Sequence, residues 1–156
     1  MKTCLSVLLL AAVCSTAVAQ PIGLKQLREL AQQEGDMAAA LKQHGFSAYG
    51  EPVRAAGYEE RNYADTAKNP RNVAVIRASG ARQHESRLTY DTYDIPEARR
   101  LQQSIERAGF RMTDEGEVVR ARYRLYRHRD GSEIQINLPK RRHATVGFVF
   151  YRYRAE

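Results

Sequence analysis

Cysteine is nearly missing from this 156-residue chain, which contains only Cys4 and Cys14. Both lie in an N-terminal segment that we expect to be removed, so the remaining chain can form no disulfide. It also offers no thiol nucleophile and no thiolate metal ligand. A domain of this size without disulfides depends on its apolar core for stability.

Long hydrophobic runs are lacking as well. The main apolar run, residues 5–13, is shorter than the roughly 20 residues that a membrane-spanning helix needs. Lys2 precedes this run and the Ala-Val-Ala sequence of residues 17–19 follows it, which is typical of a cleaved export signal. We therefore expect residues 1–19 to be a signal peptide and residues 20–156 to form a single domain.

This signal predicts a periplasmic or secreted protein with no transmembrane segment in the mature chain. The alternative is a lipoprotein with its lipid on Cys14. Val13 is a poor fit for the residue that precedes a lipid-bearing cysteine, which favours the unlipidated form.

Recognisable catalytic motifs are also absent from the sequence. It contains no phosphate-binding loop, dinucleotide fingerprint, Gly-x-Ser-x-Gly or His-Glu-x-x-His. We assign no catalytic residue and expect neither a metal nor a cofactor. The alternative is a hydrolase-like envelope or extracellular enzyme whose site is built from the loop residues His84 and His143 together with Asp91.

The charge of the chain is positive and unevenly distributed. The net charge is +7, and without residues 1–19 it is +6, from 24 Lys and Arg against 18 Asp and Glu. Residues 118–154 hold ten of these cations and only two acids. Such an excess either attracts an acidic partner or covers a solvated sheet face.

Helices are predicted where apolar residues recur at helical spacing, and strands where they alternate. Asp36 and Asp94 are predicted helix N-caps, with Glu97 completing a capping box, and Gly45 and Gly109 are predicted helix stops. The predicted helices are residues 24–33, 36–44 and 94–108. The predicted strands are residues 57–63, 73–77, 88–93, 118–128, 134–138 and 145–154.

The same order of elements occurs twice. A helix that ends in Gly-Phe is followed by three strands, once in residues 36–93 and again in residues 94–154. We expect an α+β fold with a duplicated α-β-β-β unit and helices packed on one face of an antiparallel sheet. The alternative is that the order recurs by chance.

In outline this order resembles secreted bacterial inhibitors built from tandem helix-plus-meander units, such as the β-lactamase inhibitory protein family. The resemblance is one of architecture and carries over no functional residue. The copies in that family are usually held by disulfides, which this mature chain cannot form.

Tyrosine and arginine alternate along the predicted strands of the C-terminal third. Strand periodicity places the arginines of residues 119–125 on one face, and Val119, Ala121, Tyr123 and Leu125 on the other, which we expect to be the core side. Both residue types are enriched in binding interfaces. The predicted binding surface is Arg120, Arg122, Arg124, Tyr126, Arg152 and Arg154.

These observations favour an exported, non-enzymatic binding protein, of inhibitor or immunity type. The expected partner is a protein or an anionic component of the envelope. Nucleic acid is disfavoured because the protein is expected to be exported. A further alternative is a protein that binds an anionic envelope surface such as lipopolysaccharide, with strong salt dependence.

Overall fold

The computed structural model describes residues 21–65, 70–80, 85–118, 121–140 and 144–151. The fold is α+β, with three helices and one eight-stranded antiparallel sheet. The helices are α1 (Leu24–Gln32), α2 (Met37–Gln43) and α3 (Ile95–Arg107). The strands are β1 (Ser47–Ala55), β2 (Tyr58–Ala64), β3 (Arg71–Ala78), β4 (Arg87–Thr92), β5 (Arg111–Val118), β6 (Ala121–Arg127), β7 (Glu133–Pro139) and β8 (Val146–Tyr151). None of these helices is long and apolar enough to cross a membrane.

The sheet order is β1-β2-β3-β4-β8-β7-β6-β5, so two four-stranded meanders join through the antiparallel pair β4 and β8. The expectation of three strands per unit is wrong, because α2 and α3 are each followed by four. The missed strands β1 and β5 are the two edges of the sheet. They are almost fully exposed and rich in charge, and β1 contains Gly50 and Pro52, all of which weaken a sequence-based strand signal.

The two predicted helix stops are confirmed. Gly45 has φ 83° and Gly109 has φ 90°, in the left-handed region that glycine adopts without a Cβ penalty. In each case the glycine N–H donates to a carbonyl three residues back and the following phenylalanine N–H to a carbonyl five residues back. Phe46 and Phe110, the residues after the glycines, are then buried in the core.

The core lies between the helices and one face of the sheet. Leu27 and Leu41 from the first two helices, and Ile105 from α3, are fully buried in it. The strands contribute Val73, Leu88, Tyr90, Ile134, Ile136, Phe148 and Phe150. Burial of these apolar side chains is the main stabilising contribution in a chain with no disulfide.

The opposite face of the sheet carries the alternate residues of the same strands, and none of them belongs to the helix-packed core. We call it the helix-free face. Among the described residues it includes Asn62, Asn72, Ala74, Ile76, Thr89, Asp91, Tyr123, Leu125, Gln135, Asn137, Gly147, Val149 and Tyr151, with the charged residues Glu60, Arg87, Asp114 and Glu133 nearer its margins.

A buried ionic network closes one end of the core. Arg71 forms ion pairs with Asp65 and Glu97, and the side chains of all three are at most 7% exposed. Tyr90 and Thr92 donate hydrogen bonds of 2.8 Å to the two carboxylate oxygens of Glu97. Burial and the Glu97 carboxylate raise the pKa of Tyr90, which keeps its hydroxyl a donor.

Glu97 therefore corrects one detail of the sequence prediction. Asp94 caps α3 as expected, accepting a 3.0 Å hydrogen bond from the backbone N–H of Glu97. The Glu97 side chain, however, points into the core instead of back to the cap. The buried partners Arg71, Tyr90 and Thr92 compete more effectively for it than a solvated helix end does.

Candidate functional site

The predicted arginine row lies on the opposite face from the one expected. Arg122 pairs with Leu138, Arg124 with Ile136 and Tyr126 with Ile134, so all three share the face that bears the core. The expectation that Ala121, Tyr123 and Leu125 form the core side is wrong. Val119 lies outside the described residues, as do Arg120, Arg152 and Arg154.

The physical reason is the position of β6 next to the sheet edge. The core reaches only the end of this strand, where Tyr126 is 4% exposed. Further along, the side chains of Arg122 and Arg124 are 72% and 40% exposed. Both arginines are therefore at the surface, as expected, although they share a face with the core.

Each described arginine of this row has an acidic partner on β5. Arg122 Nε lies 3.2 Å from a carboxylate oxygen of Glu117, and Arg124 Nε lies 3.7 Å from one of Glu115. Lys140 Nζ also lies 2.6 Å from Glu117, and hydrogen bonds from Lys140 and Arg122 lower the pKa of that carboxyl. Both arginines are therefore already paired within the chain, although three cations share two glutamates here.

The centre of the helix-free face holds a polar row that runs across five strands. Asn72, Asp91, Gly147, Asn137 and Tyr123 are successive cross-strand partners on β3, β4, β8, β7 and β6. Side chains that oppose one another in this way are direct neighbours. Asp91, on one of the two central strands, is the only carboxylate in this five-residue row.

Asp91 lies against the backbone of Gly147. A Cβ at residue 147 would lie 2.6 Å from Asp91 Oδ1 and 3.7 Å from Asn137 Nδ2. Any side chain there would clash with the carboxylate, so the glycine makes room for Asp91.

The Asn137 amide belongs to a chain of side-chain hydrogen bonds. Tyr151 donates a 3.0 Å hydrogen bond to Gln135 Oε1, and Gln135 Nε2 donates one of 2.7 Å to Asn137 Oδ1. This chain links β8 to β7 beside Gly147.

Asp91 itself receives no hydrogen bond or ion pair from any described residue. Partial burial raises the pKa of its carboxyl to about 6, and no neighbouring charge contributes to that shift. An acid that is both desolvated and without an internal partner is the kind of group found at functional sites.

The histidines of the enzyme alternative lie outside the described residues. Of the described residues, Arg87 is the first of β4 and Val146 the first of β8. They lie at opposite ends of this strand pair, because Val146 pairs with Thr92 and Arg87 with Tyr151.

No second described carboxylate on the helix-free face lies close to Asp91. Asp114 accepts a 3.1 Å hydrogen bond from Tyr123 and lies on β5, four strands from Asp91. Glu60 accepts a hydrogen bond from Tyr58, and Glu133 is ion-paired with Arg127. Both lie at the end of the sheet near Arg87, about 13 Å along the strand from Asp91. A two-carboxylate hydrolytic site is therefore not formed there.

A second polar cluster, which the sequence did not predict, occupies the turn between β6 and β7. His128 Nδ1 lies 2.8 Å from Asp130, and the Ser132 hydroxyl is 2.5 Å from the same carboxylate. In a catalytic triad the serine contacts the histidine, but here both contact the aspartate. Arg28 also lies 3.0 Å from Asp130 and stacks over Phe110, so the cluster attaches α1 to the sheet.

A cavity of about 440 Å³ lies beside this cluster between α1, the end of α3 and strands β7 and β8. Its walls are mainly apolar, from residues such as Leu24, Phe110 and Phe150. The charged groups at its rim are already paired with one another, including Lys25 with Glu29 and Arg28 with Asp130. Among the described residues that line the cavity, no charged group is left unpaired to orient a ligand inside.

Within the part of the chain that the structure describes, no three His, Cys, Asp or Glu side chains come together as a metal site. Comparison of the chain with family models, curated proteins and solved structures finds no significant match.

Proposed function

We propose that the chain is an exported, non-enzymatic binding protein whose partner docks on the helix-free face. The main support for this proposal is the environment of Asp91. Its carboxyl is partly buried at the centre of that face, and no described residue donates a hydrogen bond to it. The other buried acids, Asp65 and Glu97, are fully engaged by Arg71, Tyr90 and Thr92. A docked partner would supply to Asp91 the donors that the fold does not.

The arginine row predicted from the sequence supports the proposal less than the polar row does. Arg122 and Arg124 already have glutamate partners on β5, so an anionic ligand gains little from them. Tyr126 is buried and donates a 3.5 Å hydrogen bond to Glu106, which places it in the core instead of at an interface.

Export is part of the same proposal and is supported by the arrangement of residues 1–19. The partner would then be a protein or a component of the envelope, met in the periplasm or outside the cell. Intact-mass measurement of the exported protein should give a chain that begins at Gln20. A mass that retains residues 1–19 or includes a lipid on Cys14 would contradict this part of the proposal.

We also propose that the two halves, Met37–Thr92 and Ile95–Tyr151, are copies of one helix-plus-four-strand unit. Matching helix ends at Gly45 and Gly109 and the mirrored strand order support this. In an experimental structure, superposing the halves should bring the two glycines together with all four strands in sequence order. A best superposition that pairs the strands out of order would contradict it.

A photocrosslinking residue tests the docking face directly. Thr89 lies on β4, two residues from Asp91, and Gln103 is exposed on α3 across the molecule. With the crosslinker at 89, cells should yield a discrete adduct, identified by mass, that the same residue at 103 does not give. Equal labelling at both positions, or an adduct at 103 alone, would contradict the proposal.

A further inference from the structure

We infer that the outer face of α3 attaches the chain to a membrane surface that contains anionic phospholipid. Four exposed polar residues recur on this face at helical spacing: Arg99, Arg100, Gln103 and Arg107. We call these four residues the arginine stripe. They lie on the side of α3 opposite to buried residues such as Leu101, and they extend about 12 Å along the helix.

The three arginines of the stripe are not neutralised by the fold. No described residue forms a hydrogen bond or an ion pair with any of their side chains. Glu106 is the one exposed acid among the described residues of α3, and it accepts hydrogen bonds from Gln102 and from Tyr126 on β6. By contrast, Arg122 and Arg124 each have a glutamate partner. The stripe is therefore a positively charged surface, complementary to a dense array of negative charges.

Two large apolar side chains are exposed at the start of the same helix. Tyr93 is 47% exposed and Ile95 is 43% exposed. Ile95 lies one turn before Arg99, so it continues the face of the stripe towards the N-terminus of α3. Peripheral proteins bind membranes through this combination, because the cations meet the anionic headgroups while the apolar side chains enter the acyl boundary.

The freedom of the arginine side chains favours a lipid surface over an acidic protein. A specific protein interface must immobilise each arginine, which costs conformational entropy, and here no described residue holds these side chains in place beforehand. Lipid headgroups diffuse sideways and gather around the cations, so no fixed geometry is needed. Because the whole stripe is exposed, a flat surface can contact all of it at once.

Attachment through α3 leaves the proposed docking face available. The helices cover one face of the sheet, and Asp91 lies on the other. A chain held by the stripe therefore turns its helix-free face away from the membrane. The membrane contact goes beyond the proposed function and does not depend on it.

The test measures the partition of the chain, as recovered from its own cells, into two kinds of vesicle. One kind is pure phosphatidylcholine, and the other is an equimolar mixture of phosphatidylcholine and phosphatidylglycerol. The ratio of the two partition coefficients should be roughly 100 in favour of the anionic vesicles at low salt, because each surface arginine contributes about a fivefold preference. High salt should reduce this ratio, since it screens exposed charges.

The variant that tests the stripe combines Arg99→Gln, Arg100→Gln and Arg107→Gln. Its ratio should fall to about 1, because the charges that prefer the anionic vesicles are gone. Glutamine has nearly the helix propensity of arginine, and the urea midpoint and circular dichroism would show that the fold is retained. Ile95→Ser should lower partition into the anionic vesicles by about threefold or more, since less apolar surface leaves water.

The matched control removes the same number of charges from exposed arginines that have glutamate partners. It combines Arg54→Gln, Arg122→Gln and Arg124→Gln and should change the ratio by less than about threefold. An equal loss in the two triple variants would overturn the inference, because only the net charge would then matter.

A ratio near 1 for the wild-type chain would also overturn the membrane contact. If, in addition, a crosslinker at Gln103 captures a protein, the stripe meets an acidic protein instead of lipid. The crosslinking yield from residue 89, across the molecule, does not depend on the stripe. The docking face and the membrane contact can therefore fail separately.

Discussion

Asp91 occupies the space that a side chain at Gly147 would need, because its Oδ1 lies 2.6 Å from the position of a Cβ at residue 147. The two residues are direct cross-strand partners on the central strands of the sheet. The Asp91 carboxylate therefore packs against the backbone of Gly147, beside the Asn137 amide.

Gly147→Ala should lower the free energy of unfolding by about 1–3 kcal/mol, because the added methyl group meets the Asp91 carboxylate in a packed row. Urea unfolding measures the change. Gly35→Ala is the matched control, since its nearest neighbour, a side-chain nitrogen of Gln33, lies at an ordinary 3.7 Å. An equal effect at both positions would show that loss of glycine, and not contact with Asp91, is responsible.

Asp91→Asn should stabilise the protein at pH 7.5. In the folded chain the Asp91 carboxyl keeps its proton up to a pH of about 6, whereas in the unfolded chain it loses it near 3.8. The folded state therefore binds more protons between these values, and the stability of the wild-type chain falls as pH rises through them. The substitution should raise the free energy of unfolding by roughly 2–3 kcal/mol at pH 7.5 and by little at pH 4.

The control for this pH dependence is Glu51→Gln. Glu51 is an acid on the exposed edge strand β1, so this substitution should change the free energy of unfolding little at either pH. Few charged groups face Asp91 from the adjoining strands. Arg87 on β4 and Tyr151 on β8 lie at the far end of the face, and β3 presents only Asn72, Ala74 and Ile76. A stability gain that is the same at pH 4 and 7.5 would show that the desolvated charge is not its source.

Arg71→Met should destabilise the protein by about 3–5 kcal/mol, because Asp65 and Glu97 would stay buried without their cation. Chemical denaturation at neutral pH measures this loss. Arg122→Met removes an exposed cation with a single glutamate partner and should cost less than about 1 kcal/mol. Comparable losses would mean that the Asp65–Arg71–Glu97 network is no more important than a surface ion pair.

Gly109→Ala should cost about 1 kcal/mol, because alanine is strained at φ 90°. The His128 ring is 3.6 Å from the added methyl, an ordinary contact, so the cost comes from the backbone and not from a clash. Gly109→Asn should cost less, since asparagine tolerates the left-handed region. Thermal unfolding that ranks the asparagine variant below the alanine variant would contradict this explanation.

The helices and central strands follow from local patterns in the sequence, and the edge strands do not. The glycines after α2 and α3 and the caps Asp36 and Asp94 act through residues close in sequence, so their roles are predictable. Strands β1 and β5 have little apolar alternation because they are exposed on almost every residue. Pairing with the next strand defines them, and pairing partners are not visible in one sequence.

The face of β6 that packs against the core could not be predicted from the sequence either. Alternation correctly separates Arg122 and Arg124 from Tyr123 and Leu125, but it does not tell which side the helices cover. The sequence points to Asp91 only within the enzyme alternative, and a weak signal at its cross-strand partner Gly147 was missed. An isolated glycine within the apolar run Val146–Tyr151 indicates a close approach to the backbone, and Gly147 is such a residue. Its partner Asp91 is known only from the strand register.

The central claim is that Asp91 is held in an unfavourable position because a partner binds to it. The most direct measurement takes one variant, Asp91→Asn, and records both its urea stability at pH 7.5 and its crosslinking yield from residue 89 in cells. The variant should be more stable than the wild-type chain and yield markedly less adduct. A variant that is more stable and crosslinks as well as the wild-type chain would contradict it.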